Sequence, residues 1–199
     1  MKARTAVVLS AALALAIAGA PARAHGGHHE LVAKSAPAKG GDFTLTSAAG
    51  PLSLASSRGN VVTIYFSYLG CADICPTYLA ALAAALKSLP PADAAQVQPL
   101  FVTLDPERDS LQALAAYGAA FHPAIVGLAG SLSEVAAVAK AYGVLYRRVP
   151  AKGAGYDIDH SSMLIVIGRD GRLRERLPHD ASVRRITEAL KRALAVSRQ

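Results

Sequence analysis

Only two cysteines occur among the 199 residues, Cys71 and Cys75, in the stretch YLGCADICPTYL at positions 68–79. Three residues separate them, and Pro76 follows the second. Thiols so placed have three chemistries open to them: a structural disulfide, reversible thiol–disulfide exchange, or shared ligation of a soft metal ion. The structural reading is the weakest. Cysteines four positions apart close too small a loop to constrain the unfolded chain much. A chain that is 52% hydrophobic and 18% charged also builds a core without staples. Redox motifs of thioredoxin type put two residues between their thiols; the three found here depart from that arrangement without forbidding exchange. Two thiolates at this spacing can converge on one soft ion if a third ligand arrives from elsewhere.

His160, in YDIDHSSMLIVIG, is a candidate for that ligand, with Asp157 and Asp159 beside it. Two thiolates and an imidazole suit Cu(I), or Zn(II) if a fourth ligand joins. The plain alternative is a polar residue at a strand end, hydrogen-bonded to a neighbouring aspartate. His122 before Pro123 and His179 before Asp180 read as loop or cap residues, and Asp109 or Ser110 as a cap for the helix expected from 110.

The elements that must position these residues follow from periodicity. DFTLTSAAGPLSLAS reads as a hairpin turning at Gly50-Pro51. NVVTIYFSYL (60–69) and VQPLFVTLD (97–105) are β-branched and aromatic runs, the mark of buried strands. Helices are predicted over 76–89, with Pro76 at its first position, over 110–121 and over 131–143, where Ser131 and Glu134 have capping-box spacing. AIVGLAG is a short strand and VLYRRV an edge strand. His160 falls immediately before a buried strand at 161–168, which turns at Arg169-Asp170-Gly171 into a hairpin, and a last helix starts near Ala181. Strands alternating with helices imply an α/β fold with parallel pairs. The expected layout is thioredoxin-like, a central mixed sheet flanked by helices with an added N-terminal β-hairpin. Proline disfavours helical backbone in the residue before it, so Cys75 is expected at the cap of the helix, where the positive helix end favours thiolate. That edge of an open α/β sheet is also where ligands bind.

The first residues read as a signal peptide, 1–24. Lys2 and Arg4 precede an apolar run from Ala6 to Ala20, and Ala22-Arg23-Ala24 supplies a small-x-small cleavage site. The run is short for a membrane span, which needs about 20 residues; membrane attachment requires that the signal stay uncleaved. Export is expected to the periplasm, where disulfides persist. Losing Lys2, Arg4 and Arg23 leaves 18 basic residues against 14 acidic ones, a mild surplus. Much of that surplus lies on Arg184, Arg185, Lys191 and Arg192, the expected solvent face of the last helix rather than a nucleic-acid stripe. Residues 25–41 form a Gly-, Ala-, Pro- and Lys-rich leader in which His25, His28 and His29 can hold Cu(II) or Zn(II) weakly. The folded domain spans 42–199.

Three segments in order, Cys71-x-x-x-Cys75-Pro76, VTLDPERDS (102–110) and DIDHSS (157–162), resemble the signatures of the Sco/SenC copper chaperones. The resemblance runs from about Asp42 to the C-terminus. It implies a thioredoxin-like fold and copper held by Cys71, Cys75 and His160, with Asp73 and Asp159 as supporting groups around the ligands; Asp159 would orient the imidazole. It also implies delivery of copper to, or preparation of the thiols of, the dinuclear copper site of cytochrome c oxidase. The partner is then the oxidase's copper-bearing subunit or another periplasmic copper carrier, met by a monomer. The chain departs from the family pattern at Leu69 and Ala72, where threonine and proline are usual. The competing function is a periplasmic thiol–disulfide oxidoreductase that uses Cys71 and Cys75 alone.

Overall fold

The computed structural model describes residues 38–72, 74–151 and 153–196. The signal segment, the leader histidines and Asp73 lie outside the described residues. Nine strands and five helices follow in order: β1 (Thr44–Ser47), β2 (Gly50–Ser53), β3 (Val61–Ser67), α1 (Ile74–Lys87), α2 (Pro91–Ala94), β4 (Val97–Thr103), α3 (Leu111–Phe121), β5 (Val126–Leu128), α4 (Leu132–Ala141), β6 (Tyr146–Pro150), β7 (Tyr156–His160), β8 (Met163–Ile167), β9 (Leu173–Pro178) and α5 (Val183–Ala195). A 3₁₀ turn, Leu54–Ser57, follows β2.

β3 is the middle of the molecule. All seven of its residues are buried, as its unbroken apolar run requires of a strand covered on both faces. It pairs in parallel with β4 and antiparallel with β8, within a five-stranded sheet of order β5-β4-β3-β8-β9. Alternation along β3 splits the core. Val61 and Tyr65 pack with Leu79, Leu82 and Leu86 of α1 and with Ile186 and Leu190 of α5. Val62, Ile64 and Phe66 pack on the other face with Leu45 of the hairpin, Val135 and Val138 of α4, and Ile158 of β7. This is a mixed sheet between helices in the thioredoxin-like arrangement, preceded by an N-terminal hairpin.

The hairpin is stitched to the edge of the sheet: Thr46 and Ala129, just past β5, exchange backbone hydrogen bonds of 2.8 and 2.9 Å. Ser131 and Glu134 form the expected capping box on α4. The turn between β8 and β9 uses Gly171 at φ 76°, where only glycine is unstrained. Arg184, Arg185, Lys191 and Arg192 are all exposed on α5.

Four local expectations change. The first hairpin turns at Ala48-Ala49, and Gly50 and Pro51 are paired within β2 opposite Ser47 and Thr46. Cys75 is inside the first turn of α1 rather than at its cap, because the helix begins at Ile74 and proline is tolerated in a first turn, where its missing N–H has no partner to lose. The 146–150 strand is not an edge of the main sheet: it pairs only with β7, in a separate antiparallel ribbon. His160 therefore ends a strand of its own, and Ser161 and Ser162 intervene before β8. α2 breaks no periodic pattern and is four residues long, too short to announce itself.

Candidate metal centre

The cysteine loop leaves the C-terminal end of β3 and enters α1, so both sulfurs stand at the positive end of a 14-residue helix. Cys71 and Cys75 are joined as a disulfide with Cα atoms 6.0 Å apart. The two sulfurs are unlike. Cys75 is fully buried, and the Ser67 hydroxyl, at the end of β3, donates a hydrogen bond to its sulfur. Cys71 is half-buried and packs at the junction of both core clusters. An incoming thiol reaches Cys71 first. The Cys71 N–H donates to the Tyr68 carbonyl at 3.3 Å, closing the turn that carries it.

His160 is buried, 1% exposed, at the end of β7. Its ring stands edge-on to Tyr68, with ring centroids 6.2 Å apart. One aromatic ring therefore separates the imidazole from the turn that bears Cys71. Nδ1 lies 3.3 Å from the Ser161 carbonyl oxygen. Burial pushes the Tyr68 phenol above its ordinary value, and the Ile158 backbone lies against its hydroxyl. The tyrosine is thus a neutral spacer at pH 7. In this disulfide form, the described residues bring no three His, Cys, Asp or Glu side chains together closely enough to hold a metal ion. The sulfur couple is assembled; the imidazole stands apart from it, against the Tyr68 ring. Asp159 sits one residue away on the partly exposed side of the ribbon, where its carboxylate accepts from Arg147 at 2.9 and 3.1 Å.

VTLDPERDS is the piece whose role the sequence left plain and the structure makes specific. Ser110 caps α3. Asp109 does not: its carboxylate, 6% exposed, accepts from the Leu69 N–H at 3.0 Å and the Thr103 hydroxyl at 2.5 Å. Burial pushes this carboxyl above the ordinary carboxylate value, against the pull of those two hydrogen bonds. Asp105 is fully buried; it accepts from the Tyr156 hydroxyl at 2.8 Å and pairs with Arg108. The Arg108 guanidinium sits 3.9 Å from the Tyr156 ring centroid and donates to the Tyr156 carbonyl at 2.9 Å. Arg148 covers the same ring at 4.5 Å and pairs with Glu107. Ser67, Tyr68 and Tyr156 gave no signal in the sequence, since each acts through a partner distant along the chain. His122 proves to be a helix-end residue; its Nδ1 accepts from the Ala124 N–H at 3.2 Å.

A family model described as SCO1/SenC matches residues 32–195. The chain belongs to the SCO1/SenC family. Among its relatives, the mitochondrial SCO2 homolog of Bos taurus is 36% identical over 166 residues, covering 79% of this chain and 60% of that protein. A SCO2-like protein of Rickettsia felis is 34% identical, covering 76% of this chain and 75% of its own length. The structure of Bradyrhizobium japonicum ScoI with copper bound superposes with a TM-score of 0.71 at 33% identity, covering 78% of this chain and 99% of that one. The SCO1/SenC chain spans about three fifths of the length of its mammalian mitochondrial SCO2 relatives. Among the described residues, no helix is long and apolar enough to cross a membrane.

Proposed function

We propose that this SCO1/SenC chain is an exported copper carrier that holds Cu(I) through Cys71, Cys75 and His160. It would deliver that ion to, or reduce the cysteines of, the dinuclear copper site of cytochrome c oxidase. The observation that carries the reading is a buried imidazole packed edge-on against Tyr68, the residue that opens the turn leading to a thiol pair at a helix's positive end. Two sulfurs and one nitrogen are the donor set a soft, low-coordinate ion takes, and the ScoI relative holds copper in its solved structure. The mature chain acts in the periplasm, on the strength of the signal-like first 24 residues. Asp73 and Asp159 are assigned as supporting groups around the ligands, and His25, His28 and His29 as an outer, weaker copper store.

Loading requires a reduced pair. The thiolate of a partner dithiol attacks the half-buried Cys71 sulfur, the more accessible of the two, and Cys75 leaves as a thiolate beside the Ser67 hydroxyl. The partner's second thiol then breaks the mixed disulfide; Cys71 and Cys75 emerge reduced and the partner carries the disulfide. Cu(I) replaces the two thiol protons as it binds. Run in reverse against a target's disulfide, the same dithiol is an exchanger, which is the competing reading.

An anaerobic Cu(I) titration of the reduced full chain against a competing chelator separates the two. One ion per chain is expected, lost entirely in Cys71→Ser and Cys75→Ser. His160→Ala is expected to weaken binding more than about a hundredfold, beyond what loss of a group supporting a ligand costs, while leaving the disulfide intact. Native Cu(I) affinity in His160→Ala with undiminished thiol exchange would leave only the exchanger.

A further inference from the structure

The DPERD turn lies between the two halves of the site and touches both. From one side of it Asp109 reaches the Leu69 N–H, the residue after Tyr68 and two before Cys71. From the other side Asp105 and Arg108 grip the hydroxyl, ring and carbonyl of Tyr156. Tyr156 opens β7 and His160 closes it. A strand is stiff along its length and rises about 3.3 Å per residue, so fixing its first residue constrains where its last one stands.

The ribbon needs such fixing. β6 and β7 pair with each other and with no strand of the main sheet. At the His160 end the two strands go on pairing with each other, the Ser161 N–H donating to the Leu145 carbonyl at 2.9 Å and the Ser161 hydroxyl accepting from the Leu145 N–H at 2.9 Å, so these bonds close the ribbon on itself. At the Tyr156 end the contacts described above are made by side chains of the DPERD turn and by Arg148. A fully buried Asp105 is costly unless its oxygens are satisfied; here Oδ1 ties the turn to Tyr156 of β7, and Oδ2 holds Arg108 of the same turn against the Tyr156 ring.

We propose that the turn from Asp105 to Asp109 is a brace that sets the separation between sulfur couple and imidazole, with Asp105, Arg108 and Tyr156 as positioning residues for His160. None of the three touches the ion. The brace rests on the reading of Cys71, Cys75 and His160 as the copper ligands, and it assigns the second sequence signature a part in the site that spacing alone does not give it.

The test is Tyr156→Phe in the full chain, which keeps the ring under Arg108 and Arg148 but removes the bond to Asp105. Its Cu(I) affinity, measured by chelator competition on reduced protein, is expected to fall about tenfold, the worth of one hydrogen bond to a charged group. In a His160→Ala background the same change is expected to cost nothing further, because a brace acts only through the ligand it places. In the metal-free protein, amide hydrogen exchange at Ile158 and His160 is expected to quicken while Leu164 and Ile165 of β8 keep their protection. An undiminished affinity in Tyr156→Phe, or an equal loss in both backgrounds, would overturn the brace while the ligand assignment stood. If the parent chain takes up no Cu(I), the ligand reading fails instead; the exchange measurement then decides the brace alone, with unchanged ribbon protection counting against it.

Discussion

The two halves of the site are built in different ways. The cysteine loop grows out of β3, whose seven residues are all buried, and runs into a helix whose Leu79, Leu82 and Leu86 lie in the core. The His160 half hangs on a two-stranded ribbon outside the sheet, secured by Ile158 and by the polar grip on Tyr156. A carrier must hold its ion and also surrender it. On the proposed reading of Cys71, Cys75 and His160 as the ligands, thiols in the rigid body and an imidazole on a tethered arm would let one ligand move without disturbing the other two. Opening free energies differ across a fold in this way: elements with few buried apolar contacts open first.

The strongest blow to this contrast comes from equal truncations on its two sides. Leu79→Ala, beneath the cysteine loop and 1% exposed, is expected to lower global stability by about 2–5 kcal/mol in a denaturant titration. Ile158→Ala in the ribbon should cost clearly less; an equal loss would mean that the ribbon is as integral as the sheet. Asp109 gives a middle-sized effect with a sign. Removing its carboxylate in Asp109→Ala strands the Leu69 N–H and the Thr103 hydroxyl, for about 1–3 kcal/mol. Asp109→Asn keeps an acceptor for Leu69 and should recover most of that. Because burial raises the carboxyl's pKa in the folded state, folding binds its proton more tightly than the unfolded chain does. Its contribution to stability is therefore greatest below the ordinary aspartate value, falls as pH rises through the raised value, and is level above it. The difference between wild type and Asp109→Asn, followed by denaturation across the acidic range, should trace that slope. The smallest effect is expected from Arg148→Ala, whose partner Glu107 is solvent-exposed: a global change of about 0.5 kcal/mol or less, with faster exchange confined to β6 and β7.

The rigid half was legible in the sequence, and the arm was not. An apolar run such as NVVTIYFSYL declares a buried strand by composition, Ser131 and Glu134 declare a helix start by spacing, and Gly171 declares a turn by its freedom at positive φ. Each signal is local. The ribbon depends on YRRVP meeting YDIDH, two segments of five residues each, of which the first has no period-2 contrast and the second too short a run of it to declare a partner. What pins them is Tyr156 meeting Asp105 across 51 positions. No periodicity encodes such a meeting. The cysteines were singled out by type and spacing and His160 by its neighbours, while the bonds that hold these side chains in place declared themselves only in three dimensions.

The exchange of hydrogen bonds between Thr46 and Ala129 reaches beyond the hairpin. An open strand border is a template on which a second chain can zip itself, and here the border next to β5 is occupied from within. The opposite border, β9, offers Arg174, Glu175 and Arg176 and finishes in Pro178, a poor surface for another backbone to join. Both borders of the main sheet are thereby spared the adhesion that bare sheet margins invite.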